Sequence, residues 1–207
     1  MDWFKRKNKQ YFSYDHDIHS HILPGLDDGV KRVEDSVVIV KKMLELGVKQ
    51  FSFTPHISFP SPMNTPEIIL EKLNELKERL LKEKIEIEAD AGAEYKIGEY
   101  MIDLIRQGNI ASFHGGKVLV EHSFVAPSPA FEEVIFRLQD KGYTPVLAHP
   151  ERYPFYAKHL TERVWELKRR GCRIQVNLLS FVGFYGKEAM AGARELLVAR
   201  LIDYFSG

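Results

Sequence analysis

Cysteine is nearly absent: Cys172 stands alone among 207 residues. That excludes an intramolecular disulfide framework and suits a reducing compartment such as the cytoplasm. It also bears on chemistry, because a cysteine phosphatase needs an arginine six residues beyond its thiolate, and that position is Leu178. Cys172 therefore reads as a core residue of "CRIQVN". Charge of a single sign is lacking too, with 29 lysines and arginines against 29 aspartates and glutamates. A net charge of zero leaves no electrostatic footprint for nucleic acid or an anionic membrane. No long apolar run follows the basic opening "MDWFKRKNKQ", so residues 1–15 read as a polar leader, with neither signal peptide nor membrane insertion expected. No Gly-rich phosphate loop follows the first strand, which weakens a nucleotide-binding open sheet. Repeats, low-complexity segments and interdomain linkers are missing as well, and a single domain over 1–207 is expected.

What is present alternates. Strands are predicted at "DIHSHI", "VKQFSFTPH", "IEIEADAGAE", "KVLVEHS", "YTPVLAHP", "CRIQVN" and "LIDYFSG". Between them "EDSVVIVKKMLEL", "PEIILEKLNELKERLLKEK", "EYMIDLIRQG", "PAFEEVIFRLQDKG", "TERVWELKRRG" and "KEAMAGARELLVARL" carry apolar residues at helical spacing. Thr65 is placed to cap the second helix ahead of Pro66, and glycines close several of the others. Strands separated by helices imply parallel β-α-β units, as an open sheet or a closed barrel.

The polar residues favour the barrel. His19 and His21 end the first predicted strand, His56 the second and Glu94 the third. Glu121 and His122 end the fourth, His149 the fifth and Asn177 the sixth. In a β/α barrel those ends converge on one face. Imidazoles and carboxylates gathered there suit zinc, manganese or iron and metal-assisted hydrolysis, with Glu94 able to bridge two ions. Singly, each residue has an ordinary reading: His56 as a hydrogen-bonded loop residue, Glu121 in a salt bridge, His149 shaping a turn before Pro150, Asp27 and Asp28 capping a turn. His16, His114 and His159 read as loop or surface residues. Five successive strands ending in His or Glu are what the ordinary readings leave unexplained.

Taken in order, "DIHSHILPGLDDG", "TPHI", "GAEY", "VLVE" and "AHPERY" resemble the polymerase-and-histidinol-phosphatase (PHP) family, and within it the bacterial metal-dependent protein-tyrosine phosphatases of capsule and exopolysaccharide synthesis. The resemblance runs from about Asp17 to the last residue. It implies a distorted (β/α)7 TIM-like barrel holding two or three divalent ions, manganese foremost, with iron, zinc or magnesium as alternatives. On the matching positions His19, His21 and Glu94 would hold one ion, Glu94, Glu121 and His149 a second, and Asp28 and His56 a third. Asp27 is the weaker choice beside Asp28, and His122 a second-choice ligand. Arg152 in "HPERY" would bind the substrate phosphate, and aromatic residues from Phe59 to Tyr185 would crowd the rim. The implied reaction is hydrolysis of phosphotyrosine on a protein, the tail of an autophosphorylating polysaccharide-synthesis tyrosine kinase, in the cytoplasm.

The family places an Asp-x-His motif just after its last strand, where this sequence stops at Gly207. The barrel is therefore expected without its C-terminal end. Two alternatives stand beside the main reading: a PHP phosphoesterase acting on histidinol phosphate or nucleic-acid ends, and a non-catalytic phosphopeptide-binding protein with a decayed site.

Overall fold

The computed structural model describes residues 14–207, so the leader proposed at 1–15 lies almost wholly outside the described residues. Helices α1 (Val33–Glu45), α2 (Pro66–Lys82), α3 (Glu99–Gln107), α4 (Phe131–Asp140), α5 (Leu160–Arg169) and α6 (Lys187–Val198) form where the apolar spacing predicts them. On α2 the buried stripe is Ile69, Leu73, Leu76 and Leu80, and Thr65 Oγ1 accepts from the backbone N–H of Ile68 ahead of the helix. Gly108 ends α3 with φ 71°, a left-handed turn that glycine adopts without steric cost.

The strands are parallel throughout, in two sheets. One holds β1 (His16–Asp17), β2 (Gln50–Phe53) and β4 (Glu88–Ala91) in that order. The other runs β3 (His56–Ile57), β5 (Glu94–Lys96), β6 (Lys117–Glu121), β7 (Thr144–Ala148), β8 (Arg173–Asn177) and β9 (Tyr204–Ser206).

Three sequence expectations need correcting. The single strand expected over "VKQFSFTPH" breaks between β2 and β3 at Thr54–Pro55, where proline has no N–H to give to a ladder. The strand expected over "IEIEADAGAE" breaks between β4 and β5 at Gly92–Ala93. There the backbone passes so close to Phe113 that a Cβ on Gly92 would lie 2.8 Å from the ring. His56 and Glu94 thus open short strands after a break instead of closing long ones. Finally, β1 stops at Asp17, so His19 and His21 lie in irregular chain beyond it.

Both breaks are bridged by hydrogen bonds, from Gly92 N–H to Phe53 O (2.9 Å) and from Glu94 N–H to Pro55 O (3.0 Å). The strands therefore occupy successive positions β1, β2–β3, β4–β5, β6, β7, β8 and β9. Between the last and the first, a side chain replaces the ladder. Ser206 Oγ accepts from the N–H groups of Ile18 (2.9 Å) and His19 (3.1 Å) and donates to Asp17 Oδ1 (2.8 Å).

Alternation assigns the two strand faces. Val118 and Val120, Leu147, and Ile174 and Val176 join the large cluster under the helices. On the opposite face Leu119, Val146 and Ala148 pack with Ile18 and Phe113 into a smaller cluster. Each of the valine, leucine, isoleucine and phenylalanine side chains among them contributes about 1.5–3 kcal/mol by leaving water. Glu121, Gln175 and Asn177 share that second face by the same alternation, which puts polar groups beside the small cluster at the carboxyl ends of the strands. Among the described residues no helix is long and apolar enough to cross a membrane.

Candidate metal centre

Glu94 is the hub. Its side chain is buried, and its Oε2 lies 3.1 Å from His19 Nε2, 3.3 Å from His21 Nε2 and 3.2 Å from His56 Nδ1. Oε1 lies 3.0 Å from His149 Nε2. Glu121 approaches from β6, with Oε1 3.4 Å from His56 Nδ1 and Oε2 3.9 Å from His149 Nε2. Asp28, exposed on the turn, brings Oδ1 to 3.7 Å from His56 Nε2. All seven residues singled out as ligands line one cavity of about 240 Å³, with Arg152, Asn177 and Gly207 on its wall.

Two residues fix the imidazoles: Gln175, which has no role in the sequence reading, and Asp27, the weaker candidate ligand beside Asp28. Gln175 is fully buried on β8, and its Oε1 stands 3.0 Å from His19 Nδ1 while accepting from the His149 N–H at 3.2 Å. An amide oxygen only accepts, so His19 carries a hydrogen on Nδ1 and turns its Nε2 toward Glu94. Asp27 does the same for His21, with Oδ2 2.7 Å from Nδ1, and also accepts from the N–H groups of His56 (2.8 Å) and Gly29 (2.9 Å). Asp27 is thus the orienting partner of a histidine. One signal in the sequence could have found Gln175: in "RIQVN" the polar residues fall on alternate positions, which marks a strand whose inner face is not apolar.

Electrostatics describe a cup crowded with ionisable groups. Burial pushes the Glu94 carboxyl up, but the charge of His19 and hydrogen bonds from His149, His19 and His21 outweigh it and hold Glu94 well below the usual range. Burial, then the neighbouring Glu94 charge, raises Glu121 to about 8. Burial lowers His149 to about 4. His21 is raised to about 10, since its hydrogen bonds to Asp27 and Glu94 overcome burial. Burial also works against Asp27, but the His21 hydrogen bond overcomes it and holds Asp27 near 2.

The donor set fits divalent ions. Ligand atoms about 2.1 Å from one metal, at tetrahedral or octahedral angles, stand roughly 3.0–3.4 Å apart, and the contacts converging on Glu94 fall in that range. The Nε2 atoms of His19 and His21 lie 3.3 Å apart, each on a ring whose other nitrogen is committed as a donor, which calls for a cation or a shared proton between them. Among the described residues, His149 Nδ1 is buried without a partner. Donor atoms gather within 4.8 Å of one another as His19, Glu94 and His149, and as His21, His56 and Glu94, so Glu94 belongs to both groups.

Arg152 sits on the 3-10 turn Pro150–Arg152, which follows a left-handed His149 (φ 36°). It does not pair with Glu151, whose buried Oε1 accepts from Asn177 N–H (3.0 Å) and Ser180 Oγ (2.7 Å). The expected aromatic rim is partly corrected. Phe59 and Phe184 are exposed, but Tyr153 and Tyr156 are buried. Tyr153 Oη donates to Ala148 O and accepts from the His122 N–H. His122 itself turns into that aromatic cluster, its Nδ1 accepting from Ser128 N–H and its Nε2 meeting Tyr156 Oη at 3.1 Å. It stands apart from the donors around Glu94. His16 is also corrected, since it lies in β1, half-buried against Ser52 Oγ and the His114 ring. Cys172 is buried and free.

Known proteins share this chain's pattern. Residues 15–207 match the family described as capsular polysaccharide synthesis, CpsB/CapC. Tyrosine-protein phosphatase YwqE of Bacillus subtilis is 32% identical over 189 residues, which cover 91% of this chain and 74% of YwqE. Tyrosine-protein phosphatase CpsB of Streptococcus agalactiae serotype V is 29% identical over 163 residues, 78% of this chain and 66% of CpsB. Among solved structures, a chain described under YwqE from Bacillus subtilis and CpsB from Streptococcus pneumoniae, "unique metal-dependent tyrosine phosphatases", superposes with a TM-score of 0.83. It is 30% identical, and the match covers 92% of this chain and 77% of that one.

Proposed function

The chain belongs to the CpsB/CapC family of capsular polysaccharide synthesis, and on that premise we propose that it is a metal-dependent phosphatase acting on phosphotyrosine in a protein. The observation that carries the reading is Glu94, one buried carboxylate in contact with four imidazoles. The seven strand positions, closed through Ser206, are read as a distorted barrel forming one domain. Two or three divalent ions are assigned to the cup, manganese first, with His19, His21, Asp28, His56, Glu94, Glu121 and His149 as ligands. The two donor groups that share Glu94 favour a bridging carboxylate. The substrate is taken to be the phosphorylated tail of a tyrosine kinase of polysaccharide synthesis, met in the cytoplasm.

Bound ions would supply Lewis-acid chemistry: offset charge on the phosphoryl oxygens and a water acidified toward neutrality. The protein's own residues do the rest. Gln175 and Asp27 hold the Nδ1 hydrogens of His19 and His21, so that both Nε2 atoms are turned into the cup before any ligand arrives. Arg152 offers planar N–H donors to phosphoryl oxygens and offsets the charge that grows on them in the transition state.

Phosphate release from a phosphotyrosine peptide, measured with manganese and again with excess chelator, tests the proposal. Turnover abolished by chelator supports it. Faster turnover of histidinol phosphate or of a 5′-phosphorylated oligonucleotide would reassign the substrate.

A further inference from the structure

Arg152 is held in an unusual way for an arginine that must present its donors to an anion. Among the described residues its side chain makes no hydrogen bond, and no carboxylate comes within ion-pair distance. Two aromatic rings hold it instead. Its Cζ lies 4.7 Å from the centroid of Phe124 and 4.0 Å from that of Tyr185, within the range where a ring face attracts a cation. A carboxylate partner would occupy N–H groups and cancel charge. Ring faces do neither, so the full donor set and the full charge stay available.

Both rings are themselves fixed. Phe124, in the loop after β6, stacks on the His149 imidazole at 5.6 Å and 19°, and lies 5.6 Å from Tyr153. It therefore spans the gap between a wall of the cup and the guanidinium. Tyr185 comes from the segment after the 3-10 turn Leu178–Val182. Glu151 ties that turn to the one carrying Arg152, by accepting from Asn177 N–H and Ser180 Oγ. Phe124, Arg152 and Tyr185 all border the cavity that holds the histidines.

We infer that Phe124 and Tyr185 are positioning residues, a pair of ring faces that hold Arg152 unpaired and aimed at the substrate phosphoryl group. The inference rests on the phosphatase reading and deepens it. An unclamped arginine has many rotamers to lose on binding an anion, and the rings remove that cost beforehand.

The test uses manganese-loaded protein and a peptide bearing a non-hydrolysable phosphonate analogue of phosphotyrosine, with Kd measured by calorimetry beside kcat/KM on the hydrolysable peptide. Phe124→Leu and Tyr185→Leu keep apolar bulk and remove the ring face. Each is expected to weaken phosphonate binding about three- to ten-fold, while Tyr185→Phe stays within about two-fold. In an Arg152→Met background neither leucine substitution should cost anything more, a coupling that a merely structural role would not produce. Equal losses with and without Arg152, or no loss at all, overturn the inference. Phe124 is 43% exposed and Tyr185 half-buried, so both variants should fold, and if one does not melt cooperatively the other decides. Failure of the unaltered protein to bind the phosphonate would bring down the phosphatase reading itself, and this inference with it.

Discussion

Substitutions of Gln175 should separate metal affinity from fold stability at a residue that touches neither metal nor substrate. The amide is fully buried. Its oxygen serves His19 Nδ1 and the backbone N–H of His149, and its nitrogen donates to Asn177 Oδ1 at 2.9 Å. Leucine of similar size leaves two buried donors without an acceptor, each costing about 1–3 kcal/mol. For a chain of this length that lowers Tm by on the order of 10 °C. The effect on the metal is distinct. His19 loses the group that fixes its tautomer, and partners of that kind are worth about 10- to 100-fold in metal affinity. Gln175→Glu supplies the control, since a carboxylate oxygen still accepts from His19 and His149. Its second oxygen meets Asn177 Oδ1 instead of donating to it, so stability should fall while manganese affinity holds within about three-fold. Metal titration by calorimetry and melting in excess chelator measure the two quantities separately. Leucine at 175 with unchanged manganese affinity, or glutamate falling as far as leucine, would refute the assignment of Gln175 as the orienting partner of His19.

Glu94→Gln should cost more than the roughly 100-fold upper range of an outer partner in both manganese affinity and kcat/KM, because four imidazoles converge on that carboxylate; metal content after dialysis and phosphate release report the two. Gly29→Ala places a Cβ 2.2 Å from the carbonyl oxygen of His21. Since backbone has nowhere to move, urea denaturation should show a loss of about 3 kcal/mol. Burial pushes the Cys172 thiol up to about 12, so at neutral pH the thiolate is negligible. Iodoacetamide should leave phosphate release unchanged, and inactivation of the folded protein would contradict a metal-based reaction.

The helices were legible because their signals are local. Thr65 before Pro66 and Gly108 after "LIRQ" act within a turn of where they stand, and the structure uses both as their chemistry dictates. The gathering of His19, His56, Glu94, Glu121 and His149 was legible for a different reason: a regular β-α order brings successive strand ends together whatever the details of each strand. The details themselves were hidden. The break at Gly92 arises from the nearness of Phe113, a contact across twenty-one residues that no window on the sequence displays. Gln175 escaped, and Asp27 was read only as a weaker candidate ligand, because an orienting role depends on which imidazole lies opposite, and pairing of that kind exists only in three dimensions. His122, next to Glu121, shows the converse. Adjacency in sequence placed it beside the candidate ligands, and strand alternation carried it to the opposite side, among Phe131, Tyr153 and Tyr156.

Ser206 gives the seam between first and last strand a temporal meaning. The N–H of His19 is satisfied by a hydroxyl 187 residues later in the chain, so this histidine cannot reach its final setting until Ser206 has left the ribosome. Contacts of such long sequence separation form late and slowly. A nascent chain with β2 through β8 already paired would still hold His19 loosely, and would bind metal weakly. Competence to take up metal should thus wait until Ser206 has been synthesised and docked, and a pulse-labelled chain stalled before Ser206 should be the species that fails to retain manganese.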